Sequence, residues 1–429
     1  MSKKVCMFVW NHFTNDARVL RECTALSERG YSVDLICIHD PADKNLPKYE
    51  KRNENFNVYR VRRYPILLEY MQGFLRFLKK KKINLLLFFI LWAAAVYVLP
   101  IFTVILTVFL GLLYKLKLIP WWIKANIYLR MVVKGYSKTY DIYHSNDLNT
   151  LLQGYVCSKW RFSGKKLVYD SHEVQTSRTG YNSKMYGKIE GFLLKKIDSM
   201  IVENNTRAKY NEDLYGFYPN VVHNYPFKKN GDFNKIISIH QMLNVPDDTK
   251  ILLYQGGIQI GRGLEKLIQA APLFKEGVLV FIGDGKQKPE LMKLVSDLNL
   301  SEKVKFIPKV PLEDLPSYTK NAYLGFQVLN NICFNHWSAS SNKLFEYMMS
   351  GVPVVACSFP EIKKVVEGEQ IGICVDSHDY KDIARGVNKL IDDKALRDEF
   401  SRNCAEAKDK YNWEEEKVHF INVYHKLIM

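Results

Sequence analysis

Paired cysteines are missing from this chain. Its eight (Cys6, Cys23, Cys37, Cys157, Cys333, Cys357, Cys374 and Cys404) are scattered, mostly among apolar neighbours, and none forms a Cys-x-x-Cys. Zinc and dithiol motifs of that kind are therefore excluded, and the thiols read as reduced core residues of a cytosolic protein. Zinc-finger spacing, an RNA-binding aromatic signature and a basic helix with heptads are lacking as well, which argues against a nucleic-acid partner. No internal repeat or low-complexity tract occurs. Acidic residues are in deficit, 45 against 61 Lys and Arg, giving a formal charge of +16 and a pI near 9.2. A partner with negative charge follows, be it a membrane surface or a phosphorylated substrate. The apolar stretch Val5–Trp10 is too short for a secretory signal and reads as a first buried strand.

One long hydrophobic run is present. From Ile83 to Tyr114 no side chain is charged, and Pro100 lies near the middle. About 20 apolar residues span a bilayer, so the run is long for one crossing and short for two. Lys79, Lys80, Lys81 and Lys82 precede it, and Lys115, Lys117 and Lys124 follow, a distribution suited to anionic lipid headgroups. Strand-like stretches on both sides of the run belong to one sheet, and one sheet cannot straddle a membrane. The run must return to its starting side, as a helical hairpin bent at Pro100 or as a re-entrant element. Basic flanks at both ends place that side in the cytoplasm. We therefore expect the cytoplasmic face of the cell membrane, with residues 83–114 as the anchor.

With 429 residues, two cores are expected. Short β-rich runs alternate with helical stretches, the rhythm of parallel sheets covered by helices. Strands are expected at Val5–Val9, Val33–Ile38, Asp141–His144, Lys166–Tyr169, Met200–Val202 and Val221–Val222, with a helix over Ala17–Arg29. A linker is expected over Lys228–Asn234, after which strands restart at Ile251–Tyr254, Val278–Ile282, Val304–Phe306, Tyr323–Phe326 and Val352–Ala356. The fold class is thus α/β, two Rossmann-like domains facing a cleft. The boundaries are 1–64 with 125–226, 65–124 for the apolar insertion, 227–411, and a closing helix over 412–429 that returns to the first domain.

Ligands in such sheets sit beyond the carboxyl ends of strands, where helix N-termini offer unpaired N–H groups to phosphate. After Ile251–Tyr254 come Gly256 and Gly257, which admit a ligand close to the backbone, and Arg262, which can fork onto a diphosphate. After Val278–Ile282, Gly283-Asp284-Gly285 makes a turn in which Asp284 can cap the next helix. The most informative stretch is Ser338 to Val355. Ser340, Ser341 or Asn342 can cap a helix, Lys343 stands in its first turn ahead of Leu344, and Glu346 follows one turn on. A carboxylate there suits a vicinal diol such as ribose. In the first half, Thr14 or Asn15 is a candidate cap, with Arg18 facing the strand ends. Asn146 and Asp147 close one strand, and His172 and Glu173 another. A histidine beside a leaving phosphate can donate a hydrogen bond or a proton, and Asp147 can orient an acceptor hydroxyl.

Taken in order, Asn15–Glu22, His144–Leu148, Val168–Glu173, Gly261–Glu265, Gly283–Gly285, Asn342–Met348 and Gly351–Val354 resemble the retaining, metal-independent family 4 glycosyltransferases of GT-B fold. The resemblance implies that Arg262 contacts the donor diphosphate with Lys343 nearby, and that Glu346 holds the ribose. It departs from the family at Ser338, which stands where the first glutamate of a paired motif is usual, and at Gly257, where an arginine is usual. It further implies a nucleotide-sugar donor, UDP favoured over GDP, with no metal or other cofactor. His172, Asp147, Asn146 and Arg262 are the expected catalytic set, and Asn15, Arg18 and Glu173 the acceptor side. A lipid-linked acceptor, of the polyprenyl diphosphate kind used in cell-surface polysaccharide or glycolipid synthesis, follows from the insertion in the acceptor domain. An inactive scaffold of the same shape and a sugar-nucleotide epimerase are the competing readings.

Overall fold

The computed structural model describes residues 2–115, 117–160, 164–177, 184–228 and 237–429. From residue 229 onward the expected linker lies outside the described residues. The chain divides into two compact units, residues 1–170 with 193–198, and residues 171–192 with 199–429.

In the first unit, β1 (Lys4–Phe8), β2 (Ser32–Ile38), β3 (Tyr49–Asn53), β4 (Phe56–Val61), β5 (Ile142–Asn146) and β6 (Lys166–Ser171) lie in the order β3-β4-β2-β1-β5-β6. β1 pairs in parallel with both β2 and β5, so strands from before and after the apolar run do share one sheet. Residues 5–8 are buried throughout, which is why a continuous apolar run serves as a strand covered on both faces. Among the described residues of this unit, β3 alone runs antiparallel, as a polar edge hairpin with β4. The helix Ala17–Glu28 is capped by Asp16, whose carboxylate accepts from the Val19 N–H at 3.1 Å, and not by Thr14 or Asn15 as expected. A carboxylate oxygen at the position directly before the helix reaches the third N–H, which a residue further out cannot.

Beyond β4 the chain leaves the sheet as helices Ile66–Lys80, Lys82–Val98 and Pro100–Lys115 and returns through Ile119–Tyr136. Extended Lys81 sets the first two at 120°. Leu99 is non-helical, and the Trp92 indole N–H donates to Thr107 Oγ1 at 3.1 Å. Fifteen residues along a straight helix would separate those groups by about 22 Å. The pair therefore folds back at Leu99–Pro100. Among the described residues, no side chain of Lys82–Val98 is buried, and no single helix is long and apolar enough to cross a membrane. The return is firmly seated. Asn126 Nδ2 donates to the carbonyls of Arg62 and Arg63 at 3.2 and 3.1 Å, and a Cβ on Gly135 would stand 2.8 Å from Phe8 Cζ on β1.

In the second unit, β7 (Ser199–Val202) and β8 (Asn220–Val221) pair in parallel. Six further strands are β9 (Ile251–Gln255), β10 (Val278–Ile282), β11 (Val304–Ile307), β12 (Leu324–Gln327), β13 (Val354–Cys357) and β14 (Gly372–Val375). They form an all-parallel sheet in the order β11-β10-β9-β12-β13-β14, with an apolar core on each face. The order reverses between β9 and β12, which defines a ligand crevice at their carboxyl ends. The first sheet has the equivalent reversal between β1 and β5. The final helix, Trp413–Ile428, is bonded to the chain after β8 through Trp413 N–H to Pro226 O and His223 N–H to Glu416 Oε1, each 2.8 Å.

Candidate active site

In the second unit, Gly256, Arg262, Lys343 and Glu346, four of the residues expected to hold a nucleotide, lie by the crevice between β9 and β12, whereas Leu344 is buried in the apolar core. Gln255 ends β9 and Gly256 follows at φ +122°, with Lys343 so close that a Cβ on Gly256 would lie 3.3 Å from Lys343 Cδ. Lys343 stands in the first turn of helix Asn342–Met349, its ammonium 5.2 Å above the Tyr254 ring. Burial of its amine, and then the positive charge of Arg262, lower the Lys343 pKa to about 7, with Glu346 pulling the other way. Two cations held close enough to repel, with the Glu346 carboxylate opposing, make a field suited to an anion.

Glu346 Oε2 accepts from Gln255 Nε2 at 2.7 Å, and Gln255 Oε1 accepts from Thr319 Oγ1 at 2.8 Å, which fixes the carboxylate's direction. Tyr347 locks helix to strand, donating to Leu253 O and accepting from the Gln255 N–H. The expected caps do not cap. Ser341 occupies the position before the helix but donates to Gln327 Oε1 at 2.9 Å, Asn342 Oδ1 accepts from Asn224, and Ser340 Oγ accepts from Asn204. Each hydroxyl or amide is drawn to a neighbouring element instead, so among the described residues no side chain caps this helix; the Leu344 N–H is taken by the Ser341 carbonyl at 3.0 Å, and the N–H groups before it face the crevice as candidates for a phosphate.

Glycines bring the loops this close. A Cβ on Gly283 would stand 2.0 Å from Gly256 O, and one on Gly261, at φ +82°, would stand 2.4 Å from Ile332 Cδ1 and 2.6 Å from His336 Cε1. Asp284 does not cap the next helix. It pairs with Lys288 at 2.9 Å, which holds its carboxyl below the usual range. His336 went unnoticed in the sequence, being a lone histidine in a helix of only four residues, Phe334–Trp337. Its Nδ1 lies 3.2 Å from Asn330 O, and burial followed by the Arg262 charge lowers its pKa, which favours neutral imidazole. Ser338 is buried, its hydroxyl accepting from Arg207 Nε at 3.2 Å, and the His172 carbonyl accepts from the same guanidinium at 2.5 Å.

In the first unit, Arg18 does face the strand ends, but its fork is engaged: Nε and NH2 reach the Asp170 oxygens at 2.9 and 2.8 Å, and Glu22 lies 3.1 Å from Nε. His144 Nε2 stands 3.8 Å from Glu22 and 4.0 Å from Asp170, completing a buried polar cluster under the rim. Asn146 is also buried, donating to Phe8 O at 2.9 Å, so it ties β5 to β1. Asn15 is exposed in the loop after β1. Asp147 is held at φ 61°, ψ 163°, a backbone region that essentially only glycine visits freely. Such a conformation costs about 1–3 kcal/mol.

Residues 235–407 match the family of glycosyl transferases group 1, so the second unit carries a domain of that kind. Solved structures match the whole chain in fold alone, which is GT-B with two Rossmann-like domains. Sucrose-phosphate synthase from Thermosynechococcus elongatus superposes with a TM-score of 0.73 at 16% identity, covering 99% of each chain. Anabaena HepE, in complex with UDP and glucose, gives 0.68 at 15%, covering 99% of this chain and 100% of that one. Among curated relatives, the D-inositol 3-phosphate glycosyltransferase of a Nocardioides species is 25% identical over 319 residues, which is 67% of either chain. Two further relatives are matched over 54% and 44% of their length.

Proposed function

We propose that the chain transfers a sugar, with retention of configuration, from a nucleotide diphosphate donor to an acceptor embedded in a membrane. The observation that carries this reading is the convergence of Arg262, Lys343 and an uncapped helix N-terminus beside Gly256, with Glu346 oriented one turn further on. That set matches a diphosphate next to a ribose. The diphosphate accumulates charge as the glycosidic bond breaks, and preorganised cations and N–H groups stabilise it there. The same groups would serve without a divalent ion. A UDP-sugar is the favoured donor, in keeping with the UDP and UDP-glucose held by HepE. His172 stands as donor of a hydrogen bond to the reacting centre, and Asp147 as the group that orients the acceptor hydroxyl.

The acceptor reading rests on the insertion. Its apolar helices emerge from the sheet that carries Asp147, with Tyr97 90% and Ile101 76% exposed. Exposed apolar surface of this extent on a soluble monomer is rare. A hairpin lying in the cytoplasmic leaflet, with Lys79–Lys82 at the headgroups, would bring a polyprenyl-linked acceptor to the enzyme. Full-length protein with UDP-sugars and a membrane lipid extract tests the proposal. Nucleotide release that depends on the extract supports it, with Arg262→Ala and Glu346→Ala each lowering the rate by about 100-fold. A panel of UDP-, GDP- and dTDP-sugars that neither bind nor turn over would sink it.

A further inference from the structure

We infer that Arg207 is a positioning residue: its guanidinium ties the His172 backbone to the loop that feeds the Asn342–Met349 helix, and so sets where the imidazole stands relative to the departing diphosphate. The inference rests on the role proposed above for His172. Arg207 is 4% exposed and lies in helix Asn205–Tyr215. NH1 donates to the His172 carbonyl at 2.5 Å and to Glu203, Nε donates to Ser338 Oγ at 3.2 Å, and NH2 donates to Asn335 O at 3.3 Å. Glu203, one turn earlier, balances the charge. One planar fork thus holds two loops that meet nowhere in sequence.

Neighbouring bonds repeat the tie. Asn335 clasps Val174 by accepting from its N–H at 2.8 Å and donating to its carbonyl at 3.0 Å, and the Phe334 N–H donates to Ser177 Oγ at 2.9 Å. Asn204 donates to Ser338 O at 2.7 Å. A guanidinium needed for packing alone would not require acceptors on both loops. Ser338 fits the same scheme. Its neutral hydroxyl takes Nε and leaves NH1 on the His172 carbonyl, whereas a carboxylate there would attract the fork bidentately and pull it from His172. The serine at 338 and the arginine at 207 are therefore one feature, and a lysine at 207 could not serve both loops.

The test uses full-length protein, UDP-glucose or whichever UDP-sugar turns over, and four variants. For Arg207→Ala we expect kcat to fall by about 30-fold or more while the Kd for UDP stays within about twofold, because the nucleotide site is left intact. Arg207→Lys should recover less than about a tenth of the loss. Ser338→Glu, which keeps the arginine and so guards against a variant that fails to fold, should lower kcat at unchanged Kd. Arg207→Ala with unchanged kcat, or with kcat and UDP affinity falling together alongside melting temperature, overturns the inference. His172→Asn with full kcat overturns the role of His172 and this inference with it. Loss of kcat in His172→Asn alongside normal kcat in Arg207→Ala removes only the inference.

Discussion

Lys343 offers the sharpest expectation, because its pKa of about 7 puts a charge of the proposed donor site on the edge of titration. Burial and Arg262 lower it, so in the empty site the amine is charged below pH 7 and neutral above. A diphosphate beside the amine favours the charged form, and binding must therefore take up a proton above pH 7. With a free-state pKa of 7, about nine-tenths of the molecules carry the charge at pH 6 and about one-tenth at pH 8. If only that form binds, the Kd for UDP-glucose rises by about 10-fold between pH 6 and pH 8, or about 1.4 kcal/mol. The intact sugar diphosphate has no proton to lose in this range, so the ligand adds no pH dependence of its own. Titration calorimetry at both pH values, in two buffers of different ionisation enthalpy, reads the affinity and the proton uptake together. Lys343→Met should bind weakly and without pH dependence. Arg262→Ala should move the midpoint upward, since the repelling charge is gone. A Kd that is flat from pH 6 to pH 8, or tighter at pH 8, refutes the reasoning.

Two further expectations concern single residues and a third the basic and apolar insertion. Gly261→Ala meets Ile332 and His336 at contact-violating distances and forces an L residue to φ +82°, so it should cost about 1–3 kcal/mol, visible as a lower melting temperature, and weaken UDP binding by displacing Arg262. Arg18→Ala leaves Asp170 and Glu22 buried without their guanidinium, which should destabilise the protein by about 3–5 kcal/mol in urea unfolding. Replacing Lys79–Lys82 by glutamine should reduce co-sedimentation with anionic vesicles in low salt. Deleting 83–114 should abolish it while leaving UDP affinity unchanged, and vesicle binding that survives the deletion would contradict the membrane reading.

Strands buried on both faces were the most legible part of the fold. Val278–Ile282 is apolar at every position and coincides with β10 end to end, because parallel strands under helices need no alternation. β3 went unread, since Tyr-Glu-Lys-Arg-Asn carries no apolar pattern and is held only by its register with β4. β14 escaped for a similar reason, its four residues opening on a glycine beside the Val354 carbonyl. At the site, Gly256, Arg262, Lys343 and Glu346 could be found because each follows a strand or opens a helix. Gln255, Thr319, Arg207 and His336 could not. Their work depends on long-range hydrogen bonds or on packing against Gly261, which leave no spacing in the chain. Caps were misread at Ser341 and Thr14 because the choice among adjacent polar residues is made by what else lies within reach, Gln327 in one case and Asp16 itself in the other.

The central claim is sugar transfer from a nucleotide donor by the Arg262, Lys343 and Glu346 site. It is met most directly by following purified full-length protein with a radiolabelled UDP-sugar and membrane lipids, and determining the anomeric configuration of the glycolipid product. The account requires label to enter the lipid fraction with the donor's own configuration, and to stop doing so in Glu346→Ala. Inverted product, or label transfer undiminished in Glu346→Ala and Arg262→Ala, would contradict it.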